Sequence, residues 1–304
     1  MSELIGEAGP RALDEMAERE VLAPAPRLRD TVAAVLFSRP STIVAFIVII
    51  LFILVALLAP VLAPYDPLRQ SLLQINKPPS WEHWLGTDQF GRDVLSRMIY
   101  GSRNSLIFGL LSPLFAAMAG TALGVTAGYF GGIVDRVISR LVDTLMAFPE
   151  LLLAILIAAA LGGSFWNIVV VLTVAFTPGF ARVARASTLA VKQEPYVEAA
   201  VAAGVRTPLI IVRHIVPNIM APIVVLMTLW SASAIRVEAT LSFLGIGTQP
   251  PNPSWGNIIR DGLNNMFATQ MPIISGGLAI TVVVLAISVL GDQVRDVLDP
   301  ETGK

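Results

Sequence analysis

The chain has 304 residues, 55% of them hydrophobic and 14% charged, with a formal net charge of −1 and a mean hydropathy of +0.72. Soluble globular chains carry about 25% charged residues, so this one has too few to cover a water-facing surface. The near-neutral charge excludes a basic nucleic-acid-binding field, and the lack of cysteine excludes disulfides, thiolate metal sites and cysteine nucleophiles. The two histidines, His83 and His214, are remote in sequence and lack H-E-x-x-H spacing, so metal hydrolysis has little to work with. These numbers predict an integral membrane protein.

Residues 1–38 mix charges with Pro10, Pro24 and Pro26. They lack the basic start and shorter apolar core of a secretory signal, and a cytoplasmic tail is expected. Six stretches, 41–63, 104–127, 145–161, 166–187, 219–242 and 272–291, approach the roughly 20 apolar residues that cross a bilayer. The expected organisation is a first transmembrane helix in 39–64, an extracytoplasmic loop over 65–103, a core over 104–292 and a cytoplasmic C-terminus over 293–304. The second span carries Gly120, Gly124 and Gly128 at four-residue spacing. Small residues on one face allow close helix packing in lipid, either inside one subunit or between subunits. The third stretch is the shortest, and Pro149 with Glu150 blurs its start. Pro113, Pro178 and Pro222 lie in or at the ends of other spans, where neighbouring helices satisfy the freed carbonyls. With the N-terminus inside, inner segments hold fourteen Lys and Arg residues and outer segments six. The positive-inside rule favours that orientation, which puts both termini in the cytoplasm.

The segment between spans four and five, about 188–218, is the most informative. Pro195 suits the first turn of a helix, where its missing N–H costs nothing, and Glu198 is favoured near that positive end. Ala199, Ala200, Ala202 and Ala203 make the helix thin, and Gly204 suits a left-handed C-terminal stop. Thr207-Pro208 reads as an N-cap followed by a first-turn proline. The expected product is a short helix, a sharp turn and another helix, narrow enough to enter a groove on a partner.

Glu198-Ala-Ala, three residues, Gly204, nine residues and His214-Ile-Val-Pro217 resemble the EAA loop of ABC importer permeases, which docks in a cleft of the ATPase subunit. Leu85-Gly-Thr-Asp-Gln-Phe-Gly-Arg-Asp-Val-Leu-Ser-Arg97, Tyr129-Phe-Gly-Gly, Ala147-Phe-Pro, Leu241-Ser-Phe-Leu-Gly-Ile-Gly247, Gln249-Pro-Pro-Asn-Pro-Ser-Trp-Gly256 and Leu290-Gly-Asp-Gln-Val-Arg-Asp-Val-Leu-Asp-Pro300 are similar to segments of the peptide/nickel group. Val216 departs from the usual leucine of the motif, and His214 stands where the general motif has a hydrophobe. The resemblance runs from about residue 35 to 300. It is most like the second, C-type permease of dipeptide, oligopeptide, glutathione or nickel importers. With the apolar stretches above, it implies an all-α integral membrane protein, a six-helix type I ABC importer permease fold in a bacterial or archaeal inner membrane. It also implies three kinds of partner: a homologous B-type permease, two ATP-binding-cassette ATPases and an extracytoplasmic solute-binding protein. The ATPase-docking residues it implies are Tyr196, Glu198, Ala199, Ala200, Ala203, Gly204, Arg206 and Pro217. The chain has no G-x-x-x-x-G-K-[ST] phosphate loop. No catalytic residue, cofactor or metal is therefore expected on it, and ATP and Mg would be used by the partner ATPases.

Arg236 and Glu238 are the charges late in span five. At ~1.5 Å per residue from position 219, Arg236 falls roughly 26 Å along the helix. Residues two apart do not face each other, and membrane charge lines a polar path or meets a partner. Both are candidates for a pore or outer gate, or for an interfacial or subunit contact. Met227 and Trp230 on the same span are gate or packing candidates. Trp81, Trp84 and Trp255 are expected as interface anchors, packing residues or contacts for the solute-binding protein. A lone histidine such as His83 is a poor metal site. The rival readings are an ion-coupled secondary transporter, expected to show midplane ionisable groups or broken-helix repeats, and an intramembrane protease. Ser164, Ser231, Ser233 and Ser242 have no histidine within a span to serve as base.

Overall fold

The computed structural model describes residues 39–298; the expected cytoplasmic tail lies outside them. Among the described residues the regular elements are helices, with a 3₁₀ turn at Leu72–Gln74 and an isolated bridge between Thr87 and Asp93. The first helices are α1, Pro40–Leu57, and the short α2, Ala59–Leu62. A folded segment then leads to α3, Val94–Phe130. Next come α4, Gly132–Met146, α5, Glu150–Leu161, and α6, Phe165–Val191. The short α7, Pro195–Ala202, and α8, Thr207–Ile210, follow, and a π-turn over Ile211–Ile215 joins α8 to α9, Val216–Leu244. Last are α10, Trp255–Leu263, and α11, Met271–Leu298. Five of these runs are long and apolar enough to cross a membrane, and α4 with α5 makes a sixth if that bent pair counts as one span.

Three boundaries differ from the sequence reading, each for a local reason. The stretch 145–161 is not one straight span, because α4 and α5 meet at 92°. Pro149 lacks an N–H and disfavours helical backbone at Phe148, so the chain turns there. Most of α4 lies outside the six apolar stretches because one of its faces is charged. Asp135 takes a 2.6 Å bond from Arg185, and Asp143 a 2.9 Å bond from Arg182. Those two contacts lie about 12 Å apart on α4 but only about 4.5 Å apart along α6, so α4 crosses α6 steeply. The opposite face of α4 leaves Ile133, Val137 and Leu141 exposed.

The segment 65–103 is likewise not all loop, because α3 begins at Val94, where the Asp93 side chain accepts from the Ser96 amide at 2.7 Å. Span five begins earlier than expected, as α8, the π-turn and α9 form one continuous run from Thr207 to Leu244.

The core forms around the pairing of α3 with α6, the most extensive in the molecule. A Cβ on Gly120 would meet the Phe180 Cβ at 2.5 Å, and one on Gly124 would meet the Ala184 Cβ at 2.7 Å. The glycine stripe therefore packs within this subunit, and Phe108, Phe176, Phe180 and Leu172 are fully buried beside it. A second cluster gathers Trp255 with Ile235, Ala279 and Val283, and Phe52 of α1 meets Trp255 edge-on at 5.7 Å.

Candidate functional site

The loop between α6 and α9 sits at one end of the bundle. Lys192, the C-cap of α6, donates 2.7 Å to the Tyr129 carbonyl at the end of α3 and lies over the Tyr129 ring. The chain then enters α7 with Pro195 in its first turn. α7 ends in a Schellman arrangement: Val205 N–H donates to the Ala200 carbonyl at 3.1 Å, and Gly204 N–H to the Val201 carbonyl at 3.0 Å. Gly204 has φ +73°, the left-handed region that favours glycine. Thr207 is not an N-cap as expected. It is the first helical residue, Arg206 holds the cap position, and no side chain bonds there. Pro208 in the first turn makes a free N–H less necessary.

The underside of this loop is anchored. Val197, Ile210 and Ile215 are buried in the main core, with Ala200 and Val205 packed against it. The upper side is apolar and uncovered: Tyr196, Val201, Leu209 and Val212 are 44%, 55%, 49% and 67% exposed. Glu198, Ala199, Ala203, Gly204, Arg206 and Pro217 are exposed with them, whereas Ala200 is half-buried. Tyr196 lies 6.2 Å from the His214 ring, ring centre to ring centre. The result is a rigid knob, buttressed below and bare above.

The gate candidates separate. Met227 lines an apolar groove of about 610 Å³ between α3 and α9, with Met118, Met220 and Ile223. Trp230 packs on Phe176 at 4.5 Å and on Phe180 at 6.5 Å, a contact inside the subunit. Arg236 is exposed and donates to Ser233 Oγ at 2.9 Å. Glu238 is fully buried and accepts from Ser242 at 2.7 Å and Thr248 at 3.1 Å. It ties the end of α9 to the following loop and lines no open path, a correction to its place beside Arg236. Two residues apart on a helix point about 200° from each other, so the tertiary packing gives one to the core and the other to the surface.

The opposite end carries a cap that sequence reasoning left without a role. Arg92 donates to Asp88 at 2.7 Å and to Asp261 of α10 at 3.0 Å, and Arg97 reaches the same Asp261 oxygen at 3.1 Å. His83 is buried, with Nδ1 2.9 Å from Asp93 Oδ1 and Nε2 3.3 Å from Gln74 Oε1. These bonds hold residues 65–93 onto α3 and α10. The sequence signal was the Leu85–Arg97 run itself, whose alternating acids and bases fit a closed network. Trp255 is buried and donates to the Met98 carbonyl at 3.2 Å, while Trp81 and Trp84 are 96% and 68% exposed. Among the described residues, no group of His, Cys, Asp and Glu could hold a metal ion.

The fold and the buttressed loop define a class, the integral-membrane permease of type I importer architecture. The fold is shared with a solved structure described as an inward-facing conformation of the MetNI methionine ABC transporter, at a TM-score of 0.53 and 18% identity, covering 66% of this chain and 96% of that one. The chain belongs to the binding-protein-dependent transport system inner membrane component family, whose profile matches residues 120–304. Residues 29–79 match the N-terminal transmembrane domain of oligopeptide transport permease C. The dipeptide transport system permease protein DppC of Alkalihalophilus pseudofirmus is 40% identical over 85% of this chain and 85% of its own. The glutathione transport system permease protein GsiD of Pectobacterium atrosepticum is 41% identical over 85% of this chain and 86% of its own.

Proposed function

We propose that this chain is the C-type permease subunit of an ATP-driven importer of peptides or related small solutes, nickel chelates among the possible relatives of that cargo. It pairs with a homologous B-type permease, and the two together enclose the path. Two ATPases bind in the cytoplasm, one of them on the α7 knob of this chain, and a solute-binding protein delivers cargo to the capped end outside. ATP and Mg are used by the ATPases, and this chain contributes no catalytic group. Both termini lie in the cytoplasm, consistent with the excess of Lys and Arg in the inner segments.

The observation that carries the reading is the knob: apolar and uncovered above, yet fastened to two spans below. Apolar surface of that kind on a rigid element suits a partner's cleft. Lys192 links the start of the knob to α6 and α3, and the continuous run from Thr207 links its end to α9. Closure of the ATPases around ATP therefore moves spans four and five with α7 and rocks the path between its two open sides. Uptake into vesicles by the assembled complex tests this reading. Dependence on ATP and on a co-purifying ATPase supports it. Uptake driven by an ion gradient without ATP supports the secondary-transporter reading, and peptide cleavage within the membrane supports the protease reading.

A further inference from the structure

Lipid offers no partner to a charge, so a charged side chain within the depth of the bundle needs water, protein or an ion beside it. The break in the third span places one such charge. α5 has 12 residues, about 18 Å of helix. Its C-terminal end is level with the end of α9, because Gly163 lies against the Gly247 backbone and the Gln249 side chain. Glu150, the first residue of α5, therefore lies about 18 Å in from that level of the bundle. Arg236 precedes Leu244, the last residue of α9, by eight positions and lies about 12 Å in.

α5 and α9 touch, so the helices that carry Glu150 and Arg236 run side by side. Neither group is satisfied by the other. Among the described residues, Arg236 has one side-chain bond, to Ser233, and no carboxylate at ion-pair distance. Glu150 is half-exposed and, within the same residues, has no side-chain hydrogen bond. Glu238, by contrast, is buried, and one of its carboxylate oxygens accepts from both Ser242 and Thr248, the other having no hydrogen-bond partner among the described residues. Two opposite charges that are open, deep and apart suit a ligand that is itself bipolar better than a surface of one sign. Their offset along the bundle, about 6 Å, is close to the ~7 Å reach of two extended residues.

We propose that Glu150 and Arg236 face the translocation path and hold the two ends of a short zwitterionic peptide, Glu150 the ammonium and Arg236 the carboxylate. The proposal rests on the peptide-importer reading above. Both contacts are charge-assisted hydrogen bonds, which are stronger than neutral ones and depend on charge at each end.

The test uses the complete importer, both permeases with ATPases and solute-binding protein, in proteoliposomes, with radiolabelled dialanine and glutathione as probes. In Glu150→Gln and Arg236→Gln, uptake is expected to fall at least about tenfold, the loss expected from about 1.4 kcal/mol of lost contact. ATP hydrolysis stimulated by the loaded binding protein is expected to stay within about twofold, since the knob is untouched. Glu150→Asp and Arg236→Lys keep the charge and are expected to retain most of the uptake. Unchanged uptake in the Gln variants overturns the proposal. So does a parallel fall of uptake and ATP hydrolysis, which marks a structural role, or loss of the second permease on purification, which marks a subunit contact. If the wild type takes up neither probe, the peptide reading fails and this proposal with it. If it takes up either, the variants judge this proposal alone.

Discussion

At φ +73° Gly204 stands where an L side chain is strained, yet among the described residues a Cβ there would meet nothing within 4 Å. Strain and obstruction can therefore be separated. Gly204→Ala costs about 1 kcal/mol of backbone strain and adds a single methyl to the knob. Gly204→Asp adds the same strain and a charge on the uncovered side of the knob. Insertion, measured by the amount in the membrane fraction, is expected to be close to normal for both. Uptake is expected to fall moderately for Ala and to vanish for Asp. A Gly204→Asp complex with normal uptake would count against the docking reading. Glu198 and Gly204 were legible because caps and turns are set within a few residues. Glu238 was not, because its burial depends on Thr248 folding back over the end of α9.

The elements hold one another by two different means. α3 and α6 meet through missing side chains, and a Cβ on Gly124 would fall against the Ala181 carbonyl and the Ala184 side chain. Gly124→Leu forces these helices apart, a cost of about 3 kcal/mol or more. We expect little folded protein after detergent extraction, read as the monodisperse fraction on size-exclusion chromatography. The cap depends instead on charge. Asp261→Ala removes an acceptor shared by Arg92 and Arg97, and breaking a buried pair of this kind costs about 3 kcal/mol. The expected result is faster proteolysis within 65–93 while the spans stay protected, read by mass spectrometry of the fragments. Equal protection in both proteins would show that apolar packing alone secures the cap. The length of α3 could not be read from hydropathy because its start is interrupted by Ser96 and Arg97, whose side chains bond to the capping Asp93 and to Asp261 rather than facing lipid.

For the whole molecule, the uncovered face of the knob is where the proposed docking can be tested. The knob rests on buried Val197, Ile210 and Ile215, whereas Val201 and Leu209 face outward. Val201→Asp or Leu209→Asp is expected to leave the thermal midpoint of the purified subunit unchanged, because neither side chain contributes to the core. ATPase retention on a tagged subunit is expected to fall by about tenfold or more, as for a central apolar contact. A lowered midpoint with normal retention would place these residues in the subunit's own packing.

Composition and hydropathy were enough to establish a membrane protein with about six crossings, because the bilayer imposes a length and an apolarity on any spanning helix. The glycine stripe and the α7 turn could also be read directly, since both are repeats or caps confined to a few neighbouring residues. The tertiary structure alone decided that the third span is broken at 92°. It also decided that Glu238 belongs to the core and that Arg92 and Arg97 share Asp261. Arg97 and Asp261 are 164 residues apart. A contact over that separation is set by how the helices pack, which no local pattern encodes.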